Sequence, residues 1–194
     1  MRLKRIVIFA SGSGSNAQRI TEYFREKNTA EVVSVYGNNS KAYIAERCRQ
    51  LNLPYHLFSR KDFYESNAVL EQLLQDKPDV IVLAGFLWLV PAYLIQHYPN
   101  RIINIHPALL PGYGGKGMYG HHVHESVIAN KEKESGITIH LVNEEYDKGK
   151  ILFQGKVQLT EKDSPETLAA KIHELEYKHF PLVIEEFLEN TTFV

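Results

Sequence analysis

The segment RIVIFASGSGSNAQRITEYF, residues 5–24, reads as strand, loop and helix in turn. RIVIFA (5–10) is a short apolar run rich in β-branched residues with no alternation, as expected of a parallel strand buried on both faces. In the last part, Ile20, Tyr23 and Phe24 fall at helical spacing. Between them, in SGSGSN, Gly12 and Gly14 permit backbone conformations closed to other residues, and Ser15 and Asn16 are candidate helix caps. The free N–H groups of such a helix start favour an anion, most obviously a phosphate. A ligand-free strand-to-helix turn needs the same glycines, but phosphate binding is the preferred reading. The loop formally fits the dinucleotide fingerprint with Ala17 in the third glycine's place. That fingerprint calls for an acidic residue about twenty positions on. Here the second strand ends in YGNNS, with Asn38 and Asn39 at that place, and the Lys-Ser/Thr ending of a P-loop is missing. The loop suits a monophosphate better than NAD or ATP.

Outward from this segment, EVVSVYG (31–37), YHLFS (55–59), DVIVLAGF (79–86) and RIINI (101–105) read as further strands. They alternate with helices expected at 41–52, 61–77 (one long helix) and 91–99. Such alternation predicts a parallel sheet with helices on both faces. GITIHLVN (136–143) and KILFQGKVQL (150–159), joined around EEYDKG, predict an antiparallel C-terminal hairpin. A helical tail at 164–189 starts with a Ser cap and a Pro in its first turn, and Pro181 is expected to kink or break it. The expected fold is α/β: one domain with a mixed, mostly parallel twisted sheet.

The bulk numbers narrow the function classes. The 194 residues suit one domain, and 44% hydrophobic residues supply a core. Lys and Arg total 22 against 23 Asp and Glu, a net charge of -1, so the basic footprint of a nucleic-acid binder is missing. No segment is long and apolar enough to span a membrane. The single cysteine, Cys48, excludes an internal disulfide and is read as packing. A cytoplasmic protein, monomer or homodimer, acting on small molecules is expected.

Ligands of open α/β sheets bind outside the carboxyl ends of the strands. Asn104 and His106, in RIINIHPALLP (101–111), lie at such an end, and at i and i+2 they share one face if the strand persists. An amide and an imidazole can orient an amine and stabilise an oxyanion on a carbonyl carbon under attack, although both also suit a turn before Pro107. Asp147, in the hairpin connection, is by itself an ordinary turn residue. If its carboxylate approaches His106, it favours the imidazolium and raises that pKa.

FASGSGSN, VLAGFLWLVP, RIINIHPALLPGYGG, HHVHESVI and DKGKIL, in this order and over nearly the whole chain, resemble the monofunctional phosphoribosylglycinamide formyltransferase family, folate-dependent enzymes of purine synthesis. The resemblance implies Asn104, His106 and Asp147 as the catalytic set. It implies Gly14, Ser15 and Asn16 on the nucleotide phosphate and Glu176 on its sugar. Arg60, Leu87, Trp88, Leu89 and Val90 would bind the formyl donor, 10-formyltetrahydrofolate. Asn143, Glu144, Glu145, Tyr146 and Asp147 would close over its pterin. Residues 1–100 would form a Rossmann-like phosphate-binding half, and residues 101–194 a catalytic and folate-binding half. No metal is called for.

Other features weigh less. GHHVH (120–124) suggests a metal, but an expected helix start there would make the three imidazoles diverge. His124 matches a family histidine near the active site and is expected to act indirectly. The glycine-rich stretch 112–124 departs from the family pattern. Trp88 can line the folate site or belong to the core. His173 and Glu176 share a helical face that is solvated unless the resemblance holds. Competing functions are a tRNA formyltransferase, which should carry a basic C-terminal domain, and a formyltetrahydrofolate hydrolase, which usually carries an N-terminal regulatory domain. A non-catalytic nucleotide-binding module and a dinucleotide oxidoreductase are less favoured.

Overall fold

The structure is a computed structural model that describes residues 2–192. Its elements are β1 (Lys4–Ala10), α1 (Ser15–Lys27), β2 (Ala30–Gly37), α2 (Ile44–Gln50), β3 (Tyr55–Leu57), α3 (Arg60–Tyr64) and α4 (Ala68–Asp76). There follow β4 (Val80–Leu83), α5 (Ala92–His97), β5 (Ile102–His106), α6 (His121–Ala129), β6 (Glu134–Leu141), β7 (Ile151–Gln158) and α7 (Pro165–Asn190). The strands form one seven-stranded sheet in the order β3-β2-β1-β4-β5-β6-β7. The first five run parallel, β6 is antiparallel to β5, and β7 is antiparallel to β6.

The unalternating strand at 5–10 is explained by its two buried faces. Ile6, Ile8 and Ala10 join a core with α1, α2, α6 and α7, while Val7 and Phe9 join another with α3, α4 and α5. The chain order reverses between β1 and β4. This switch point opens a crevice between the glycine loop after β1 and the segment after β4. Among the described residues no helix is long and apolar enough to cross a membrane.

Two helical expectations need correction. The segment 61–77 forms two helices rather than one. Ser59 and Asp62 make a capping box for α3, which ends at Tyr64, and the Ser66 hydroxyl accepts the Ala68 N–H at the start of α4. Conversely, Pro181 does not break the tail, since α7 runs through it as one helix. Pro181 removes the N–H that would bond the Tyr177 carbonyl. Arg19 of α1 donates to that carbonyl at 3.2 Å, so it stays satisfied.

Candidate active site

The glycine loop carries its helix start without a side-chain cap. Gly14, at φ 74°, is the N-cap of α1, and the first turn contains no acidic residue. Ser15 and Asn16 are therefore the first helical residues and not caps, a correction to the expectation from sequence. A Cβ at Gly14 would lie 2.1 Å from the Ile44 side chain, so α2 packs directly on the loop. Arg47 of α2 donates from Nε to the Ser13 carbonyl at 2.8 Å. The glycine loop and the first turn of α1 line a cavity of about 290 Å³, together with Ala84, Gly85, Leu87, His106, His124 and Glu176.

Asn16 and Glu176, 160 positions apart, meet across this cavity. The Asn16 amide donates to Glu176 Oε2 at 2.9 Å, and His173 Nδ1 lies 3.0 Å from the same oxygen. Only 6% of Glu176 is exposed, so the solvated-face reading fails for it. Because a carboxylate only accepts, His173 Nδ1 carries a proton. The hydrogen bond to Glu176 raises the His173 pKa against the opposing effect of burial.

The second cluster lies at the end of β5. Asn104 and His106 share the face opposite Ile103 and Ile105, and the register places Asn104 across from His140 of β6. Asn104 Nδ2 is 3.1 Å from His140 Nε2, and His140 Nδ1 is 2.9 Å from the Leu141 carbonyl. His140 Nδ1 thus carries a proton, and its Nε2 lies between the Asn104 amide and Asp147. His106 Nε2 lies 2.7 Å from the Tyr113 carbonyl and must carry a proton too. That leaves His106 Nδ1 facing Asp147 Oδ1 at 3.6 Å, and His140 Nε2 is also 3.6 Å from that oxygen. Asp147 has φ 55°, and its Oδ2 accepts the Gly115 N–H at 2.8 Å. A Cβ at Gly114 would lie 3.3 Å from the Asp147 Cβ, so the glycine-rich stretch packs closely on the carboxylate.

The charge state of His106 differs from the expectation. Asp147 does raise its pKa, as does the Tyr113 carbonyl, but burial outweighs both and the net shift is downward, with His140 adding to it. For Asp147, burial pushes upward, but the bonds and charges of His140, His106 and the Gly115 N–H prevail and hold the carboxyl below its usual range. The free site thus inclines His106 toward its neutral form and Asp147 toward its ionised form.

A narrow groove of about 50 Å³ reaches the same cluster and is lined by Trp88, Leu89, Val90, Asn143, Tyr146 and Asp147, among others. Trp88 lines this groove and also contacts Phe58, Phe63 and Phe86 of the core. The Arg60 guanidinium lies over the rings of Tyr64 and Trp88, 4.8 and 5.8 Å from their centroids. Glu145 lines the groove, its backbone N–H bonds the Asn143 side chain, and its carboxylate pairs with Lys148. The structure does not bring Leu87 or Glu144 to the groove. Leu87 lines the larger cavity, and Glu144 is exposed.

The three histidines of GHHVH do diverge. His121 and His122 are exposed and face Glu125, whereas His124 is buried and lines the cavity. Among the described residues, no group of three His, Cys, Asp or Glu side chains could hold a metal ion. Cys48 is buried, and burial pushes its thiol up to about 11, which fits packing. His140 and the Gly115 N–H were missed from sequence. The alternation in GITIHLVN sets His140 on the face opposite Ile137 and Ile139, a usable signal, but only the register shows that Asn104 lies across from it.

Residues 4–184 match the family model described as formyl transferase. The chain is 38% identical over 194 residues to the chloroplastic phosphoribosylglycinamide formyltransferase of Arabidopsis thaliana, covering 97% of this chain but 66% of that protein. It is 35% identical over 191 residues to the phosphoribosylglycinamide formyltransferase of Bacillus subtilis, covering 96% of this chain and 95% of that one. The crystal structure of phosphoribosylglycinamide formyltransferase from Bacillus halodurans superposes with a TM-score of 0.86 at 34% identity, covering 96% of each chain.

Proposed function

The chain belongs to the formyl transferase family, and we propose that it moves the formyl group of 10-formyltetrahydrofolate to the amine of 5'-phosphoribosylglycinamide, a step of purine synthesis. One observation carries the reading. A single polar cluster is shared by two binding spaces, with His106 lining the cavity beside the glycine loop and Asn104, His140 and Asp147 lining the groove beside Trp88. A transfer between two small molecules needs such a junction. The cavity suits the ribonucleotide, its phosphate on the N–H groups at Gly14, Ser15 and Asn16 and its sugar at Glu176. The groove suits the folate, with Trp88, Leu89, Val90, Asn143 and Tyr146 along the ring and Arg60 toward an anionic tail. In this reading residues 1–100 supply the phosphate cradle and 101–194 the catalytic groups, while Glu176 reaches back and Arg60 and Trp88 reach forward.

The chemistry follows from the proton positions. Nε2 of His106 is committed to the Tyr113 carbonyl, so protons come and go at Nδ1. The amine attacks the formyl carbon, and His106 Nδ1 takes the proton that the nitrogen releases. The resulting imidazolium is stabilised by Asp147 and, with the Asn104 amide, faces the oxygen on which negative charge develops. As the tetrahedral centre collapses, the proton passes to the departing folate nitrogen. This route calls for neither a metal nor a covalent enzyme intermediate. The test is the absorbance change as 10-formyltetrahydrofolate loses its formyl group, with and without the ribonucleotide. Turnover that requires the ribonucleotide is expected. Equal turnover without it would make water the acceptor and the protein a hydrolase.

A further inference from the structure

His124 stands out among the groups lining the cavity. It is 5% exposed, its Nδ1 is sealed from solvent, and that nitrogen has no hydrogen-bond partner. Buried polar atoms are nearly always paired, and one left alone costs stability. Evolution tolerates such a cost chiefly where a site needs it. The surroundings of the ring narrow its role. Burial and then His173 push its pKa down, Glu176 opposes them, and His121 and His106 add to the lowering, so the ring inclines toward its neutral form. A neutral imidazole has one N–H. On the sealed Nδ1 that proton would find no acceptor, so it belongs on Nε2, leaving a donor for whatever fills the cavity.

We propose that His124 is a direct hydrogen-bond donor to the ribonucleotide, to an acceptor oxygen on its sugar or its glycinamide arm. His124 lines the same cavity as Glu176 and His173, at the sugar end, and His106, at the reacting end. The phosphate cradle is made by the glycine loop, so His124 reads the part of the ligand beyond the phosphate. This goes past an indirect role behind the active site, and it rests on the ribonucleotide reading above.

Calorimetric titration of His124→Leu and His124→Gln tests it, with phosphoribosylglycinamide, ribose 5-phosphate and a non-reactive folate analogue as ligands. His124→Leu should bind the ribonucleotide about tenfold more weakly and the folate analogue unchanged. The Tm of the free protein should stay level or rise, because an unpaired buried nitrogen has been removed. His124→Gln keeps a donor and should recover most of the affinity. A loss shared by ribose 5-phosphate assigns the contact to the sugar, and a loss confined to the ribonucleotide assigns it to the arm; either supports the proposal. Unchanged ribonucleotide affinity in His124→Leu, or equal weakening of the folate analogue, overturns it. If the unsubstituted protein binds no ribonucleotide, the proposed function falls and this inference with it.

Discussion

The cavity beside the glycine loop and the groove beside Trp88 meet at one polar cluster, but they are made of different things. The cavity, about 290 Å³, is framed by the glycine loop and a fixed Asn16–Glu176–His173 chain tying α1 to α7. The groove, about 50 Å³, is walled by side chains and by the connection between β6 and β7, where Tyr146 is 37% exposed. The cavity is the roomier of the two spaces, and the groove is the smaller. On the function proposed above, the difference teaches that the ribonucleotide meets a frame already fixed by hydrogen bonds, whereas the folate meets a wall that includes the 143–147 connection. The cluster between the two serves neither alone, so damage there should spare binding and abolish turnover.

The largest expected effect tests that separation. His106→Ala should lower kcat by about 10²- to 10⁴-fold while leaving the ribonucleotide Kd within about threefold. Comparable losses in affinity and kcat would mean that His106 belongs to the cavity and not to the junction. Asp147→Asn sharpens the same point through pH. The His106 pKa is already depressed by burial, with Asp147 opposing that effect. Neutral His106 accepts the proton, so kcat/KM should rise with pH through that pKa. Without the carboxylate the pKa falls further, so the acid limb should move to lower pH as the plateau drops. A limb that moves upward would refute this proton path.

Next in size come one substitution on each side. Gly14→Ala forces a side chain onto a φ of 74° and against Ile44. It should cost about 1–3 kcal/mol of stability and raise KM for the ribonucleotide, not for the folate. Trp88→Ala should do the reverse, raising the folate KM about tenfold and leaving the ribonucleotide KM alone. Crossed effects would show that the two spaces are coupled and break the comparison.

The two regions also differ in how far sequence exposed them. The glycine loop could be read because strand, glycines and helix are contiguous, and Asn104 and His106 because a period of two puts them on one face of β5. Asp147 could be placed only in a turn, since its approach to His106 depends on the order of β5, β6 and β7. Glu176 depends on α7 packing against α1 on one face of the sheet, and nothing local distinguishes it from a solvated glutamate. The charge state of His106 was misjudged because a neighbouring carboxylate can be guessed from a sequence, whereas the depth of burial opposing it cannot. Pro181 misled for a similar reason: the Arg19 side chain that satisfies the freed Tyr177 carbonyl lies 158 positions away.

The smallest predicted effect concerns His173, the counterpart of His106. One imidazole has its pKa pushed down by burial, and the other has it pulled up by its bond to Glu176. The sign follows from linkage. A group whose folded pKa is raised contributes stability that is fully present below its unfolded pKa, near 6.5, and is lost as pH rises through the folded value. The His173 side chain is 52% exposed, so water screens the pair and its contribution stays below about 1 kcal/mol. Thermal unfolding of His173→Gln should therefore match the unsubstituted protein above that window and fall slightly below it near pH 6. Affinity for the ribonucleotide should show the same narrowing, since the protonated ring also lowers the negative charge beside the phosphate cradle. If the two proteins keep a constant gap across the whole range, His173 acts by packing on Tyr177, whose ring it stacks at 5.9 Å, and the cavity's preorganisation owes nothing to its charge.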